Sequence, residues 1–387
     1  MQRIIRVLLS FAIVFAAMAR SQVAHSQSDQ PGSAQVPVPA QDEKPIAYWV
    51  GQLGHDHYLR RETATKKLVE AGPAAIADLV QVIRNGDLEV VERATDVITE
   101  IALARAPDDD GGAWDQLNAL AIRGAGRRAS CALAGIDEVR EHRAGQAREA
   151  LAAAGVFVGI DEFAISAISQ PRMIVQIDEK WRGDVQSLQW LRWLDGVENA
   201  RVKGTAVTRD VLANVSEIPG LKSLAIVDAK VDDATLEPLK TMGRIHSLEF
   251  RYVPLSDDQG DLIASMPIRV SLNLMGTGIS TQKVDSLRSA LPGLQIDHRQ
   301  GGFLGVTCMD SFDVCEINGV LPDSAAEEAG LIKGDVIVGI GDAEVGRFKD
   351  LQNAINQHTP GDEVEVKFRR GEKTESVKLR LRRFEET

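Results

Sequence analysis

The chain has 387 residues, 44% of them hydrophobic, and a formal net charge of −12. That length implies roughly two or three domains, each with enough apolar side chain for a core. The acidic balance excludes a nucleic-acid partner gripped through its phosphates, which needs clustered Lys and Arg, and it speaks against docking on an anionic membrane surface.

The N-terminus is laid out like a secretory signal. Arg3 and Arg6 give a positive start, Val7 to Met18 an apolar run, and Ala17-Met18-Ala19 or Ala24-His25-Ser26 a small-x-small cleavage site. The run is shorter than the ~20 apolar residues that a membrane span needs. Residues 1–26 are therefore read as a cleaved signal rather than an uncleaved anchor, with no Cys after the run to carry a lipid. The mature chain is expected to be periplasmic or otherwise exported, with no membrane span. Residues 27–44, rich in Pro, Gln and Ser, make a flexible tether.

Residues 45–158 carry apolar side chains at helical spacing, broken at Gly72-Pro73. Ala64, Thr65 and Leu68 recur as Ala94, Thr95 and Ile98, which resembles a short HEAT-like helical repeat, with WDQLNALAIRG through REALAAAGVFVG as a capping helical segment. His55-Asp56-His57 is read as a helix start with Asp56 as N-cap rather than a metal site. Asp108-Asp109-Asp110-Gly111-Gly112 lacks the alternate spacing of a calcium loop and is read as a solvated turn.

Over 171–298 the period is 24. Asp184, Thr208, Asp232, Ser256 and Ser280 are helix N-cap types, followed seven residues on by Leu191, Val215, Leu239, Ile263 and Leu287. Strand positions precede the later caps at fixed offsets: Ala200 and Val202, Leu224 and Ile226, Leu248 and Phe250, Leu272 and Leu274. This unit resembles a bacterial leucine-rich repeat. It departs from that family where an Asn or Cys is usual and Thr205, Ala229, Val253 and Thr277 stand instead, so the side-chain ladder along the turns is missing. The resemblance implies an α/β solenoid. Its concave face would present Arg201, Lys203, Ala225, Val227, Glu249, Arg251, Asn273 and Met275, either as a peptide-binding surface or on a spacer.

After His298 the period stops. FLGV, then LPDSAAEEAGLIKGDVIVGIGDAEV, then FKDLQNAINQHTPGDEVEVKF follow in order the pattern of a bacterial PDZ domain and look like those appended to HtrA-type periplasmic proteases. The resemblance covers 300–387 and implies a β-sandwich or partly open barrel with helices. It also implies that the backbone amides of Leu304, Gly305 and Val306 receive the carboxylate of a protein or peptide C-terminus, and that an edge strand from Val306 pairs with the incoming tail. Cys308, Asp350, Ala354 and Gln357 would line the groove, with Asp350 favouring a ligand hydroxyl or cation. Cys308 and Cys315 bracket MDSFDV, and alternation turns both inward, so a disulfide or two buried thiols fits. Cys131 is read as a small core residue. In the last strand Val377, Leu379 and Leu381 are expected inward, and Lys378, Arg380 and Arg382 outward.

The HtrA resemblance raises the question of a protease, but the chain has no G-x-S-G turn for a serine nucleophile, nor an H-E-x-x-H, C-x-x-C-H or phosphate-binding loop. The expected chain is thus multidomain, non-catalytic and free of cofactors and metals: an exported peptide-binding scaffold. The alternative is a regulatory or substrate-presenting partner of a separate periplasmic protease, with a cryptic hydrolase third.

Overall fold

The computed structural model describes residues 44–107, 109–165, 168–308 and 314–384. The signal segment and the tether up to residue 43 lie outside the described residues, as do Asp108 and residues 309–313 of the turn between Cys308 and Cys315.

The helical region runs Ile46–Gly51, Tyr58–Ala71, Ile76–Asn85, Leu88–Ala104, Ala113–Arg123 and Arg127–Ala153. The apolar stripes decide its packing: Leu68, Leu79, Ile83, Val91, Ala94, Ile98 and Leu117 are all buried in one cluster. Asp87 caps its helix by accepting the Val90 amide at 3.0 Å. At the earlier helix the N-cap is His57, without a side-chain bond, so Asp56 does not cap. Cys131 is half-buried rather than a core residue.

The 27-residue helix Arg127–Ala153 is ~40 Å long at 1.5 Å per residue. Ile136 and Val139 on its first half pack in the helical cluster, while Ala147 and Leu151 on its second half join the core of the following sheet. At this join Asp110, expected in a solvated turn, is buried. It accepts the Gly112 and Trp114 amides at 2.9 and 3.2 Å and pairs with the buried Arg143 at 3.0 Å.

The helical pattern expected to about Val158 stops at Ala153, and Phe157–Ile165 is a strand, β1, paired antiparallel with β2, Ile168–Ile177. Five parallel strands follow: β3 Asn199–Lys203, β4 Ser223–Val227, β5 Ile245–Arg251, β6 Ile268–Met275 and β7 Gln295–Arg299, in the order β1-β2-β3-β4-β5-β6-β7. Ala200, Leu224, Leu248, Leu272 and Ile296 stand in register, each 24 residues from the next. All five capping side chains accept a backbone amide two or three residues on. Leu191, Val215, Leu239, Ile263 and Leu287 are buried beneath the sheet.

Backbone replaces the missing side-chain ladder. Residues 204, 228, 252 and 276, again 24 apart, all have φ between 54° and 63°, and two of them, Asp228 and Tyr252, are not glycine. These left-handed turns let the amides of Asp228, Tyr252 and Gly276 donate to the carbonyls of Arg251, Met275 and Arg299 on the next strand.

The face expected to be open is covered. Arg201, Ala225, Val227, Glu249, Arg251, Asn273 and Met275 are buried, and Lys203 is half-buried. The far half of the β1–β2 hairpin supplies part of the cover: Arg201 donates to the Asp161 carboxylate and the Glu162 carbonyl at 2.9 and 2.8 Å, and Phe163 packs on Ala225 and Val227. The C-terminal tail supplies the rest. Phe384 packs with Ala164 and Met275, and the Arg251 guanidinium lies 5.0 Å from its ring. With these side chains buried under that cover, the face is not an open concave surface for a peptide.

Beyond β7 lie β8 Val306–Cys308, β9 Cys315–Val320, β10 Val336–Ile340, β11 Ala343–Glu344, β12 Glu363–Arg370 and β13 Lys373–Arg380. They form a sheet in the order β13-β12-β10-β9-β8, with β11 on β10. Short helices occupy Ala325–Glu328 and Phe348–Ile355. Leu379 and Leu381 are buried, Val377 half-buried, and Lys378, Arg380 and Arg382 exposed.

The connector 299–302 is bonded on both sides. The Gln300 and Gly302 amides donate to Asn356 and His358 carbonyls at 3.2 and 2.8 Å, while the Tyr252 hydroxyl donates to the Gly301 carbonyl at 2.9 Å. The same hydroxyl accepts the Phe384 amide at 2.6 Å. Arg383 sits 3.9 Å over the Tyr252 ring and pairs with Asp228. One tyrosine thus ties both ends of the C-terminal sheet region to the parallel sheet.

Candidate functional site

Among the described residues, β8 is the terminal strand of its sheet, bonded to β9 on one side only. Just before it, three successive carbonyls are taken by the protein's own amides: Phe303 by Arg382 at 3.1 Å, Leu304 by Ala326 at 2.9 Å and Gly305 by Leu321 at 2.9 Å. In a trans peptide the N–H points opposite to the C=O of the same unit. Fixing those three carbonyls therefore turns the amides of Leu304, Gly305 and Val306 the other way, away from Arg382, Ala326 and Leu321 respectively. Among the described residues, no acceptor meets the Leu304 or Gly305 amide. Successive backbone amides turned to one side are the feature from which backbone anion nests are built.

Gly305 makes this possible. Its φ is 87°, and a Cβ there would lie 2.2 Å from the Ser324 Cβ. Ser324 is buried because it caps the Ala325–Glu328 helix, accepting the Glu327 amide at 3.2 Å. Leu304 is buried as well, so the loop is held from below by its side chain and from behind by its carbonyls.

The remaining expected groove residues fare differently. Cys308 is half-buried at the far end of β8. Ala354 is half-buried, with Phe348 and Ile355 against the same core as Leu351. Asp350 is engaged through one oxygen: its Oδ2 accepts the Arg347 and Gly346 amides at 2.8 and 3.3 Å. The cause is position, since a carboxylate in a first helical turn meets orphan amides. Gln357 is exposed beyond the helix, which ends at Ile355 rather than continuing through FKDLQNAINQH, so it forms no part of the helical wall. Cys308 and Cys315 are free thiols with their sulfurs 3.4 Å apart.

A PDZ domain family model matches residues 302–381. This region is a PDZ domain. The curated relative "Probable periplasmic serine protease do/HhoA-like" from Haemophilus influenzae is 32% identical over 87 residues, which is 21% of this chain and 19% of that protein. The chain thus spans about a fifth of the relative it matches. Among solved structures, "HtrA-type protease AlgW with decapeptide" is 19% identical over 27% of this chain and 35% of that one, at a TM-score of 0.22. "Crystal Structure of the HtrA3 PDZ Domain Bound to a Phage-Derived Ligand (FGRWV)" is 21% identical over 21% of this chain and 84% of that one, at 0.18. A PDZ domain implies a peptide partner. No helix among the described residues is long and apolar enough to cross a membrane, and no group of three or more His, Cys, Asp or Glu among them could hold a metal.

Two residues that the sequence left without a role hold the PDZ domain's floor. Asp335, fully buried, accepts the Ile332 amide at 2.9 Å and two bonds from Arg370 at 2.8 and 2.7 Å. Burial pushes its carboxyl up, but Arg370 and the Ile332 amide outweigh that and hold it below the usual carboxylate range. A depressed carboxyl stabilises the fold above its unfolded pKa, and the contribution fades as pH falls through the folded value. Arg370→Gln is therefore expected to move the acid-unfolding midpoint of this domain to higher pH, read by hydrogen exchange of β10 and β12 across a pH series. An unchanged midpoint would show that the pair contributes nothing.

Proposed function

We propose that this chain is an exported, non-catalytic scaffold whose PDZ domain captures the C-terminal tail of a partner polypeptide. The tail adds as a strand to the outer margin of β8, and its carboxylate is received by the amides of Leu304, Gly305 and Val306. What carries the reading is the run of three amides opposed to three anchored carbonyls beside an unpaired strand margin. Their donors cost no reorganisation on binding, because the carbonyl side is already fixed. The 24-residue unit serves here as a variant leucine-rich repeat and the preceding helices as a HEAT-like array. Both act as a platform, since the sheet face considered for peptide binding is filled by the chain itself. The signal-like first 26 residues and the match to a periplasmic protease's PDZ region support export.

That same match favours one second reading, in which the chain presents tails to a separate periplasmic protease. The deciding experiment screens C-terminal peptides against the full chain, each with a free carboxylate and as the amide. Amidation is expected to weaken binding about tenfold or more, the loss of one charge-assisted set of hydrogen bonds. Equal binding of both forms, or of internal sequences alone, would refute the carboxylate site.

A further inference from the structure

Cys308 and Cys315 are brought together by a fault in a strand pair. Thr307 stands opposite Gly319, but Cys308 stands opposite Ile317, so Asn318 is an extra residue on β9. Without that bulge Cys308 would face Asn318, on the exposed side of β9. With it, Cys308 shares a face with Ile317 and, two residues along, with Cys315, both fully buried. The two sulfurs end 3.4 Å apart as diagonal neighbours. A covalent bond needs about 2.05 Å, so the two sulfurs must still approach each other to close it.

We propose that Cys308 and Cys315 form a reversible disulfide that pulls β8 inward and weakens tail addition to its outer margin. The inference rests on the peptide reading above for its effect, but not for the bond itself. Cys308 is the accessible partner and attacks first. A bond from Cys315 holds its thiol below the ordinary range, while the buried Cys315 thiol is pushed up by the same bond and by desolvation. The thiolate of Cys308 attacks one sulfur of a small-molecule disulfide such as oxidised glutathione, expelling one thiol and leaving a mixed disulfide. Cys315 then loses its proton and attacks the Cys308 sulfur, expelling the second thiol. Two thiols become one protein disulfide, and the oxidant becomes two thiols.

The full chain is equilibrated in defined ratios of reduced and oxidised glutathione, quenched by alkylation and read by mass. Cys131, half-buried and remote in sequence, is the internal control. We expect Cys308 and Cys315 to lose alkylation together while Cys131 keeps it. We expect a free-carboxylate peptide to bind about fivefold or more weakly to the oxidised form, a typical coupling between linked sites. Linkage also requires the converse: saturating peptide shifts the glutathione ratio for half-oxidation by the same factor, toward the oxidised side. Adding reductant restores affinity. Cys315→Ala should stop at a glutathione adduct on Cys308 that reductant removes, with no protein disulfide, and the reversible parent still decides the matter should that variant fold poorly. Independent alkylation of the two cysteines, or a persistent glutathione adduct on Cys308, overturns the disulfide. A disulfide with unchanged affinity overturns the coupling. A chain that binds no tail in either state refutes the peptide reading, while the mass measurement still tests the bond.

Discussion

Gly305→Ala is expected to destabilise the PDZ domain by about 3 kcal/mol or more, from left-handed strain of ~1 kcal/mol plus overpacking of ~2 kcal/mol. The strain follows from its φ of 87°, and the overpacking from a Cβ placed 2.2 Å from the Ser324 Cβ. Ser324 cannot retreat cheaply, because it caps a helix and its neighbours Ala326 and Leu321 anchor the loop carbonyls. Gly334→Ala separates the two terms. It too has positive φ, 93°, but open space where the Cβ would go, so it should cost only ~1 kcal/mol. Hydrogen exchange of β9 and β12 in the full chain reads both. Because the amides of Gly305 and Val306 turn with the loop, Gly305→Ala should also weaken tail binding about tenfold or more. Equal costs for the two variants would mean that the loop yields, and that its geometry is not fixed by Ser324.

That loop was legible in the sequence because glycine is the one residue whose absence of Cβ announces a backbone purpose. The five caps were legible for a similar reason: Asp, Thr and Ser at a fixed interval report a local bond between a side chain and an amide. What the sequence hid was non-local. Arg201, Glu249 and Arg251 alternate along their strands as solvent-facing residues would, yet a hairpin and a tail from elsewhere in the chain bury them. The β1 strand was lost against the helix before it because FVG is short and apolar, and period cannot separate strand from helix at that length. At Asp350 a groove position and an N-terminal helix position coincide in sequence, so nothing in its identity announced that one carboxylate oxygen takes the Arg347 and Gly346 amides. Asp228 and Tyr252 carry the left-handed turns without being glycine, so nothing in their identity marked them. A 24-residue spacing from Gly204 and Gly276 would have done so.

Asp110→Ala is the second large effect, and it tests the join between the helices and the parallel sheet. Arg143 is 1% exposed, its Nη2 bonded to Asp110 and to the Ala102 carbonyl at 3.0 Å each, with its guanidinium 4.3 Å from the Trp193 ring. Its Nε and Nη1 are buried and find no hydrogen-bond partner among the described residues. The indole face, the Ala102 carbonyl and one carboxylate must therefore offset the loss of water. Burial holds the guanidinium below its ordinary pKa, but arginine does not deprotonate at accessible pH, so it has no neutral form to fall back on. Removing Asp110 leaves a buried charge without its counter-ion, a change worth about 3–5 kcal/mol. The turn also loses its bonds to the Gly112 and Trp114 amides. Arg143→Met should cost less than Asp110→Ala, since it removes the charge and keeps an apolar stem against Trp193. In the double variant the costs should not add, because once Arg143 is replaced no cation remains for Asp110 to neutralise. Urea unfolding followed by tryptophan fluorescence reads all three, as Trp114 and Trp193 pack edge to face at 4.7 Å beside this pair. A cost under about 1 kcal/mol for Asp110→Ala would place the pair with ordinary surface ion pairs, and the apolar side chains of the long helix, Ala147 and Leu151 among them, would then matter more to the join.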